Sequence, residues 1–140
     1  MQHYLINDLA KRTQLPADTI RFYEKKQLIK SSFRADNNYK YYDDEMLKRL
    51  IFIKRCRSLD MTLHEITQLL EQLQHPEQGC KIIDQLIEEH IQHVETRILE
   101  LQSFKTQLYD LRQSCSSNTT IDHCQIVKNL ATAENIEFQD

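Results

Sequence analysis

The sequence predicts a mostly α-helical protein organised around one long helix. Its 140 residues include a single Gly and two Pro, the residues that most strongly interrupt helices. Residues 81–113 contain neither of them and repeat apolar residues in steps of three and four. Several shorter apolar segments follow residues that cap helices well. A chain of this length forms one domain or two small ones.

The N-terminal domain, residues 1–75, is predicted to begin with two short helices joined by a tight turn. The first covers 6–12, and Pro16 stands where a second helix over 17–26 begins, a position that suits its fixed φ and missing N–H. This arrangement is typical of a helix-turn-helix. The polar residues that the second helix would present to a partner are Thr19, Arg21 and Tyr23.

Residues 33–42 are rich in aromatic side chains and contain Asn37-Asn38 at their centre. Asn tolerates positive φ, so this pair predicts the turn of a small β-hairpin. Such a hairpin would form a wing that presents Arg34, Tyr39 and Lys40 to a phosphate backbone. A surface loop that covers packed aromatics is the alternative interpretation of the same stretch.

Two further helices complete the N-terminal domain. Asp43 or Asp44 can cap a helix that runs to about Arg57. Thr62, with Glu65 three positions later, forms a capping box for the next helix. Cys56 follows Ile53 by three positions and is predicted to be a small buried residue. The apolar positions predicted to face inward are Leu47, Leu50, Ile51, Leu63, Ile66, Leu69, Leu70 and Leu73.

The dimerisation segment, residues 76–114, has the near-3.5 apolar period of a coiled-coil seam. Cys80 and Cys115 lie 35 positions apart at its two ends, or about 50 Å apart along one helix. They therefore cannot share a ligand within one chain. The stripe consists of Ile83, Ile87, Ile91, Val94, Ile98, Leu101, Leu108 and Leu111.

Antiparallel pairing of two such helices would bring cysteines of the two subunits together. Cys80 of one subunit would approach Cys115 and Cys124 of its partner, which gives two equivalent three-thiol sites per dimer. This spacing predicts a metal site in residues 115–140, completed by a short helix over 125–133. A plain dimerisation helix with incidental cysteines is the alternative.

Charge is unevenly distributed along the chain. Residues 1–60 hold 13 Lys and Arg against 8 Asp and Glu, whereas residues 61–140 hold 5 against 13. A basic first half predicts contact with a polyanion. No apolar run is long enough to span a bilayer and the N-terminus lacks a signal pattern, so we expect a cytoplasmic protein with no membrane partner and reduced thiols.

Five motifs resemble the MerR family of transcriptional regulators. They are INDLAKRT (6–13), TIRFYE (19–24), RADNNYKYY (34–42), RCRSLDMTL (55–63) and EEHIQHV (88–94). The last two resemble its cadmium- and lead-responsive branch. The resemblance implies a homodimer with winged heads and an antiparallel coiled coil. It also implies repression of a promoter without metal, and activation through DNA distortion and RNA polymerase when metal binds.

The resemblance also implies roles for single residues. Thr19 would lie near base edges, and the thiolate ligands would be Cys80, Cys115 and Cys124. Gln14 and Asn38 replace glycines common in the family, and Lys40 stands where Arg is usual. Lysine contacts a phosphate through one compact ammonium group, whereas the planar guanidinium of arginine can donate two parallel hydrogen bonds. The remaining DNA contacts, mostly to the backbone, would be Arg21, Tyr23, Arg34, Tyr39, Lys40 and Arg57.

Three thiolates form a soft site suited to Cd(II), the preferred ion here, and also to Pb(II) or Hg(II). Zn(II) normally takes a fourth ligand, which Asp122, His123 or a water could supply. The family's zinc sensors commonly carry paired cysteines where this chain has Ser114-Cys115, which disfavours zinc as inducer. Metal is expected to order the 115–124 loop and the trailing helix against the partner's head.

The sequence leaves open the role of two histidines and several alternative functions. His90 and His93 lie one turn apart and could form an auxiliary metal site or a structural pair. A zinc- or mercury-responsive regulator of the same family, a thiol redox switch without metal response, and a coiled-coil adaptor are the alternatives. The chain has no Cys-x-x-Cys, and its only candidate catalytic pair is His123-Cys124, so we do not expect an enzyme.

Overall fold

The computed structural model describes residues 2–116 and 118–132, which confirm the mostly helical prediction. The chain divides between Ile87 and Glu88 into two compact units, which we call the N-terminal and C-terminal units. No helix of the described residues is both long and apolar enough to cross a membrane. The elements are β1 (His3–Tyr4), α1 (Ile6–Thr13), α2 (Ala17–Lys25), β2 (Phe33–Arg34), β3 (Lys40–Asp43), α3 (Asp44–Ser58), α4 (Leu63–Gln72), α5 (Lys81–Gln113), a 3-10 helix (Ile121–His123) and α6 (Gln125–Ala131).

The core of the N-terminal unit lies between its four helices and a small sheet. Leu9, Ile20, Leu50, Ile53 and Ile66 are fully shielded from solvent, because each occupies the inward position of its helix's apolar spacing. Cys56 is 7% exposed, which confirms the prediction that it is a small buried residue. Burial raises the pKa of its thiol.

Two of the expected inward residues are exposed. Ile51 is 51% exposed on α3, and Leu73 is 52% exposed just past the end of α4. Ile51 directly follows the buried Leu50, and successive helix residues point about 100° apart. The sequence analysis therefore predicted a wider buried face for α3 than the structure has. It also included Leu73 in the buried face of α4, although this helix ends at Gln72.

The sheet contains the predicted hairpin and one strand that the sequence did not indicate. Its strand order is β1-β3-β2, and β3 is antiparallel to both neighbours. The hairpin turn contains Asn38 with φ 69°. Tyr42 on β3 is buried, while Tyr41 stacks on Phe33 at 5.1 Å between ring centroids. The unpredicted strand β1 pairs through Tyr4 with Tyr42.

Helix ends follow the predicted caps. Asp43 caps α3 by accepting the Met46 N–H at 3.0 Å. Thr62 and Glu65 form the reciprocal capping box of α4, with hydrogen bonds of 2.9 and 3.1 Å. These contacts satisfy N–H groups that a helix cannot pair internally.

The C-terminal ends of α2 and α3 share a backbone motif that the sequence did not predict. After α2, the Leu28 N–H donates to the Tyr23 carbonyl and the Gln27 N–H donates to the Glu24 carbonyl. After α3, the Met61 N–H donates to the Cys56 carbonyl and the Asp60 N–H donates to the Arg57 carbonyl. Both are Schellman motifs, and their left-handed residues are Gln27 (φ 64°) and Asp60 (φ 64°), not glycine.

Helix α5 has the bounds that the sequence predicted, Lys81–Gln113. Its apolar stripe is largely exposed in the single chain: Ile91 is 44%, Leu101 49% and Leu108 64% exposed. Helix α6 ends at Ala131, so the predicted helix over 125–133 is too long: Thr132 is already extended, with φ −82° and ψ 115°. Residue 133 lies outside the described residues. Val127 and Leu130 on α6 are 47% and 63% exposed.

Candidate DNA-binding surface and metal site

Helix α2 carries three of the predicted contact residues on different faces. Arg21 is exposed and pairs with Asp18 at 2.8 Å on the same helix. Thr19 is half-buried, and Tyr23 is only 6% exposed. Tyr23 therefore contributes most of its ring to the core, and Arg21 is the most accessible of the three.

The hairpin places its three predicted residues at the surface. Arg34 donates to the Asn38 side-chain oxygen at 3.1 Å, and Tyr39 is 61% exposed. Lys40 Nζ lies 3.5 Å from Glu24 Oε2. All three residues are exposed.

Glu24 is a site residue whose role the sequence analysis missed. Its carboxylate accepts from the Tyr42 hydroxyl at 2.9 Å and faces Lys40 at 3.5 Å, so it connects α2 to β3. Burial and this hydrogen bond raise the pKa of Tyr42 above its ordinary value. Sequence alone gives a weak signal, because the partners lie 16 and 18 positions away.

Two clefts flank α2 and divide the predicted DNA contacts between them. One, about 290 Å³, includes Arg21, Arg34, Tyr39 and Lys40 in its lining. The other, about 340 Å³, includes Thr19, Tyr23 and Arg57. The Arg57 guanidinium is oriented by a 2.8 Å hydrogen bond to the Met61 carbonyl, at the turn after α3. The seven residues thus line two clefts beside α2, and each cleft contains at least one arginine.

Cys115 and Cys124 lie side by side although nine positions separate them. Their sulfur atoms are 3.3 Å apart, with the Cys115 thiol donating to Cys124. Both side chains are half-buried. Cys124 is the N-cap of α6, and the Val127 N–H, with the Cys115 thiol and the Ile126 N–H, lowers the pKa of the Cys124 thiol. A lowered thiol pKa favours the thiolate, the form that binds metals.

Cys80 lies at the opposite end of α5. Its carbonyl accepts the Asp84 N–H at 2.9 Å, so it caps the N-terminus of this helix, and its side chain is exposed. The 33 residues of α5 correspond to about 50 Å. The structure therefore joins two of the three predicted thiols in one chain and keeps the third at the other helix end.

The remaining predicted ligands have separate placements. Asp122 and His123 are exposed on the 3-10 helix that leads into Cys124. The ring centroids of His90 and His93 are 6.4 Å apart and nearly perpendicular. His90 is 9% exposed, whereas His93 is exposed.

Family models match most of the chain. Residues 4–73 match the model described as MerR HTH family regulatory protein, and residues 47–111 match the model described as MerR, DNA binding. The first match contains the helix-turn-helix and hairpin, and the second reaches almost to the end of α5.

Individual relatives extend over nearly the full length. The chain is 39% identical to the HTH-type transcriptional regulator ZntR homolog of Haemophilus influenzae, over 81% of this chain and 84% of the relative. It is 35% identical to ZntR of Escherichia coli K12, over 91% and 92%. The crystal structure of the transcription regulator PbrR691 from Ralstonia metallidurans CH34 in complex with lead(II) matches with a TM-score of 0.76 and 42% identity, over 90% of this chain and 98% of that one. These relatives are named as transcriptional regulators, not as enzymes.

Proposed function

The chain belongs to the MerR family of HTH regulatory proteins, and on this premise we propose that it is a metal-responsive regulator of transcription. Its homodimer binds promoter DNA, represses without metal and activates when a soft divalent ion binds thiolates at the ends of α5. RNA polymerase then uses the distorted promoter. The closeness of Cys115 and Cys124 is the observation that carries this proposal.

The exposed stripe on α5 supports the proposed dimerisation. Ile91, Val94, Ile98 and Leu101 are 37–49% exposed at successive steps of three and four residues. A row of large apolar side chains on one long helix favours pairing with a second copy. An antiparallel pair places the start of one α5 beside the end of the other.

The metal would be held by two thiolates from one subunit and one from the other. Cys115 and Cys124 supply the first two, and the partner's Cys80 supplies the third. Bound at this site, the ion links the two subunits at each end of the paired helices. Thiolate binding releases protons, so apparent affinity should rise with pH.

Cadmium is the proposed inducer, with lead as the second ion of the same class. Three sulfur ligands suit large soft ions, and the relative that shares 42% identity was crystallised with lead(II). Zinc is the main alternative, because the ZntR relatives share 35–39% identity and Asp122 or His123 could complete a fourth position. Mercury remains a further alternative, and the His90–His93 pair remains a candidate auxiliary site.

DNA distortion is the proposed route from metal to transcription. Arg21, Arg34, Lys40 and Arg57 lie around α2 and can hold phosphates on both sides of one groove. Closing the metal loop shifts the two DNA-binding surfaces of the dimer relative to each other, which twists or bends the promoter.

Mixing two inactive variants tests the shared site. Cys80→Ser protein keeps the Cys115–Cys124 pair, and Cys115→Ser/Cys124→Ser protein keeps Cys80, so neither homodimer holds three thiols at one place. A mixed dimer has one complete site and one empty of thiols. Each mixed dimer should have half of the wild-type cadmium capacity. Because random exchange in an equimolar mixture makes about half of the dimers mixed, the mixture should recover about a quarter of the wild-type capacity, measured by thiolate-to-metal charge-transfer absorption after subunit exchange.

No recovery in the mixed dimers would refute the shared site. Full capacity in Cys80→Ser protein would refute it too, because the ligands would then come from one subunit. Repeating the titration with lead, zinc and mercury ranks the four ions and decides between the cadmium and zinc proposals.

A gel shift on the chain's own upstream DNA tests the DNA-binding surface. Lys40→Gln should weaken binding about three- to tenfold and reduce the salt slope by about one, since it removes one phosphate contact. Lys105→Gln, at an exposed position on α5, is the matched control and should leave both unchanged. Equal effects of the two substitutions would mean that binding follows overall charge alone.

A further inference from the structure

We propose that Cys115 and Cys124 are also an oxidation site, which forms a reversible disulfide within one chain when the protein meets a hydroperoxide. The disulfide itself does not require the proposed metal function. Its consequence does: the oxidised loop cannot bind metal, so the regulator would stop responding to its inducer.

The two sulfur atoms lie close together. They lie 3.3 Å apart, and a disulfide requires about 2.05 Å, so bond formation needs them to approach by about 1.3 Å. Both side chains are half-buried, which leaves them accessible to a small oxidant.

Polar contacts hold the two ends of this loop together. The Asn129 side chain on α6 donates to Ser114 Oγ at 3.4 Å, next to Cys115. The Cys124 N–H donates to the Ile121 carbonyl at 3.1 Å and fixes the turn that precedes α6. Neither contact depends on sulfur, so we expect the thiols to remain adjacent in the metal-free protein.

The reaction is balanced with hydrogen peroxide as the oxidant. One sulfur, as thiolate, attacks the O–O bond and becomes a sulfenic acid, and hydroxide leaves and takes up a proton as water. The second sulfur, as thiolate, attacks the sulfenic sulfur, forms the S–S bond and displaces hydroxide, which becomes the second water. Two thiols and one peroxide thus give one disulfide and two waters.

The other two cysteines have no such neighbour among the described residues of the chain. Cys56 is 7% exposed within the core of the N-terminal unit. Cys80 stands at the start of a helix whose far end is about 50 Å away. Selective oxidation at the 115–124 pair is therefore the expected pattern.

Peptide mapping of the full-length protein tests this pattern directly. Metal-free protein is treated with a small excess of hydrogen peroxide, alkylated under denaturing conditions and digested with trypsin. Peptide 113–128 contains both cysteines, whereas Cys80 falls in peptide 58–81. We expect 113–128 to lose two hydrogen atoms and resist alkylation, and the total of four thiols to fall to two. Dithiothreitol should restore all four.

Several outcomes would overturn the proposal. They are an unchanged 113–128 peptide, a disulfide that joins it to 58–81, or oxygen addition without a disulfide. Cadmium uptake by the oxidised protein equal to that of the reduced protein would overturn the proposed consequence.

Cys80→Ser separates this inference from the proposed function. This variant lacks the third metal thiolate but keeps the pair, so it should form the same disulfide to the same extent. If it does so while wild-type protein binds no metal, the oxidation site stands and the metal function fails. Loss of the disulfide in Cys80→Ser would overturn the oxidation site instead. Cys124→Ser is the negative control.

Discussion

The two units of this chain differ in whether they bury large apolar side chains within a single chain. Among the described residues, all fully buried apolar side chains fall between Tyr4 and Leu70, in the N-terminal unit. The C-terminal unit holds large apolar residues that stay open to solvent, such as Ile98 at 48% and Leu130 at 63%. The N-terminal unit thus forms a buried apolar core within one chain, whereas the described part of the C-terminal unit does not.

This difference separates two kinds of folding information. In the N-terminal unit, apolar spacing and caps define a core that one chain can complete. In α5, the same spacing defines a surface whose partner must come from elsewhere. The function proposed above requires both, because a self-sufficient DNA-binding unit is coupled to a helix that a second copy completes.

The largest effect is expected from a cavity in the N-terminal core. Leu50→Ala should lower the free energy of unfolding by about 2–5 kcal/mol, because Leu50 is fully buried and its neighbours fill the space only partly. Urea unfolding followed by circular dichroism at one protein concentration measures it. Ile51→Ala, at the next position but 51% exposed, is the control. Similar losses at both positions would mean that α3 presents a wider buried face than described.

A charge in the α5 stripe should act on assembly and leave the N-terminal unit folded. Leu101→Glu places a carboxylate where the proposed dimer buries leucine and should cost about 2–3 kcal/mol of association energy, or about 30- to 150-fold in the dissociation constant. Sedimentation at several concentrations measures it. Gln102→Glu adds the same charge one residue away and should change little. A Leu101→Glu dimer as tight as wild type would remove α5 as the dimer interface.

The sequence predicted the N-terminal unit well where periodicity and capping agree. The bounds of α3, the start of α4 at the Thr62–Glu65 capping box and the Asn37–Asn38 hairpin were predicted from local chemistry alone. Strand β1 was missed because its two residues, His3–Tyr4, carry no alternation of their own. Their strand conformation depends on pairing with β3, which is a long-range contact.

The candidate site was predictable in its residue types but not in its internal distances. Spacing alone showed that Cys80 and Cys115 stand at opposite ends of a helix. The contact between Cys115 and Cys124 depends on how the 3-10 helix and α6 fold back, which no short motif encodes. The roles of Gln27 and Asp60 were missed for a related reason, since only Gly signals a left-handed turn strongly in sequence.

Glycine substitutions at adjacent positions after α2 should have opposite signs. Gln27 adopts φ 64°, so Gln27→Gly removes left-handed strain and should stabilise the protein by about 1 kcal/mol. Lys26 has φ −82°, so Lys26→Gly should destabilise by about 0.5–1 kcal/mol through added freedom in the unfolded chain. Urea unfolding compares the two. Destabilisation by both would show that the Gln27 conformation carries no strain.

The smallest effect is expected from one hydrogen bond in the N-terminal unit that joins two elements distant in sequence. The Tyr4 hydroxyl donates to Asp44 Oδ1 at 2.6 Å and lowers the pKa of that carboxyl. Because the folded pKa is depressed, the stabilisation is present above the ordinary carboxyl pKa and is lost as pH falls through the folded value. Tyr4→Phe should therefore be less stable than wild type at pH 7, with the gap closing in acid. Tyr109→Phe, at a 52% exposed position on α5, should show no gap at either pH, and a Tyr4→Phe gap that persists in strong acid would assign the effect to packing of the ring.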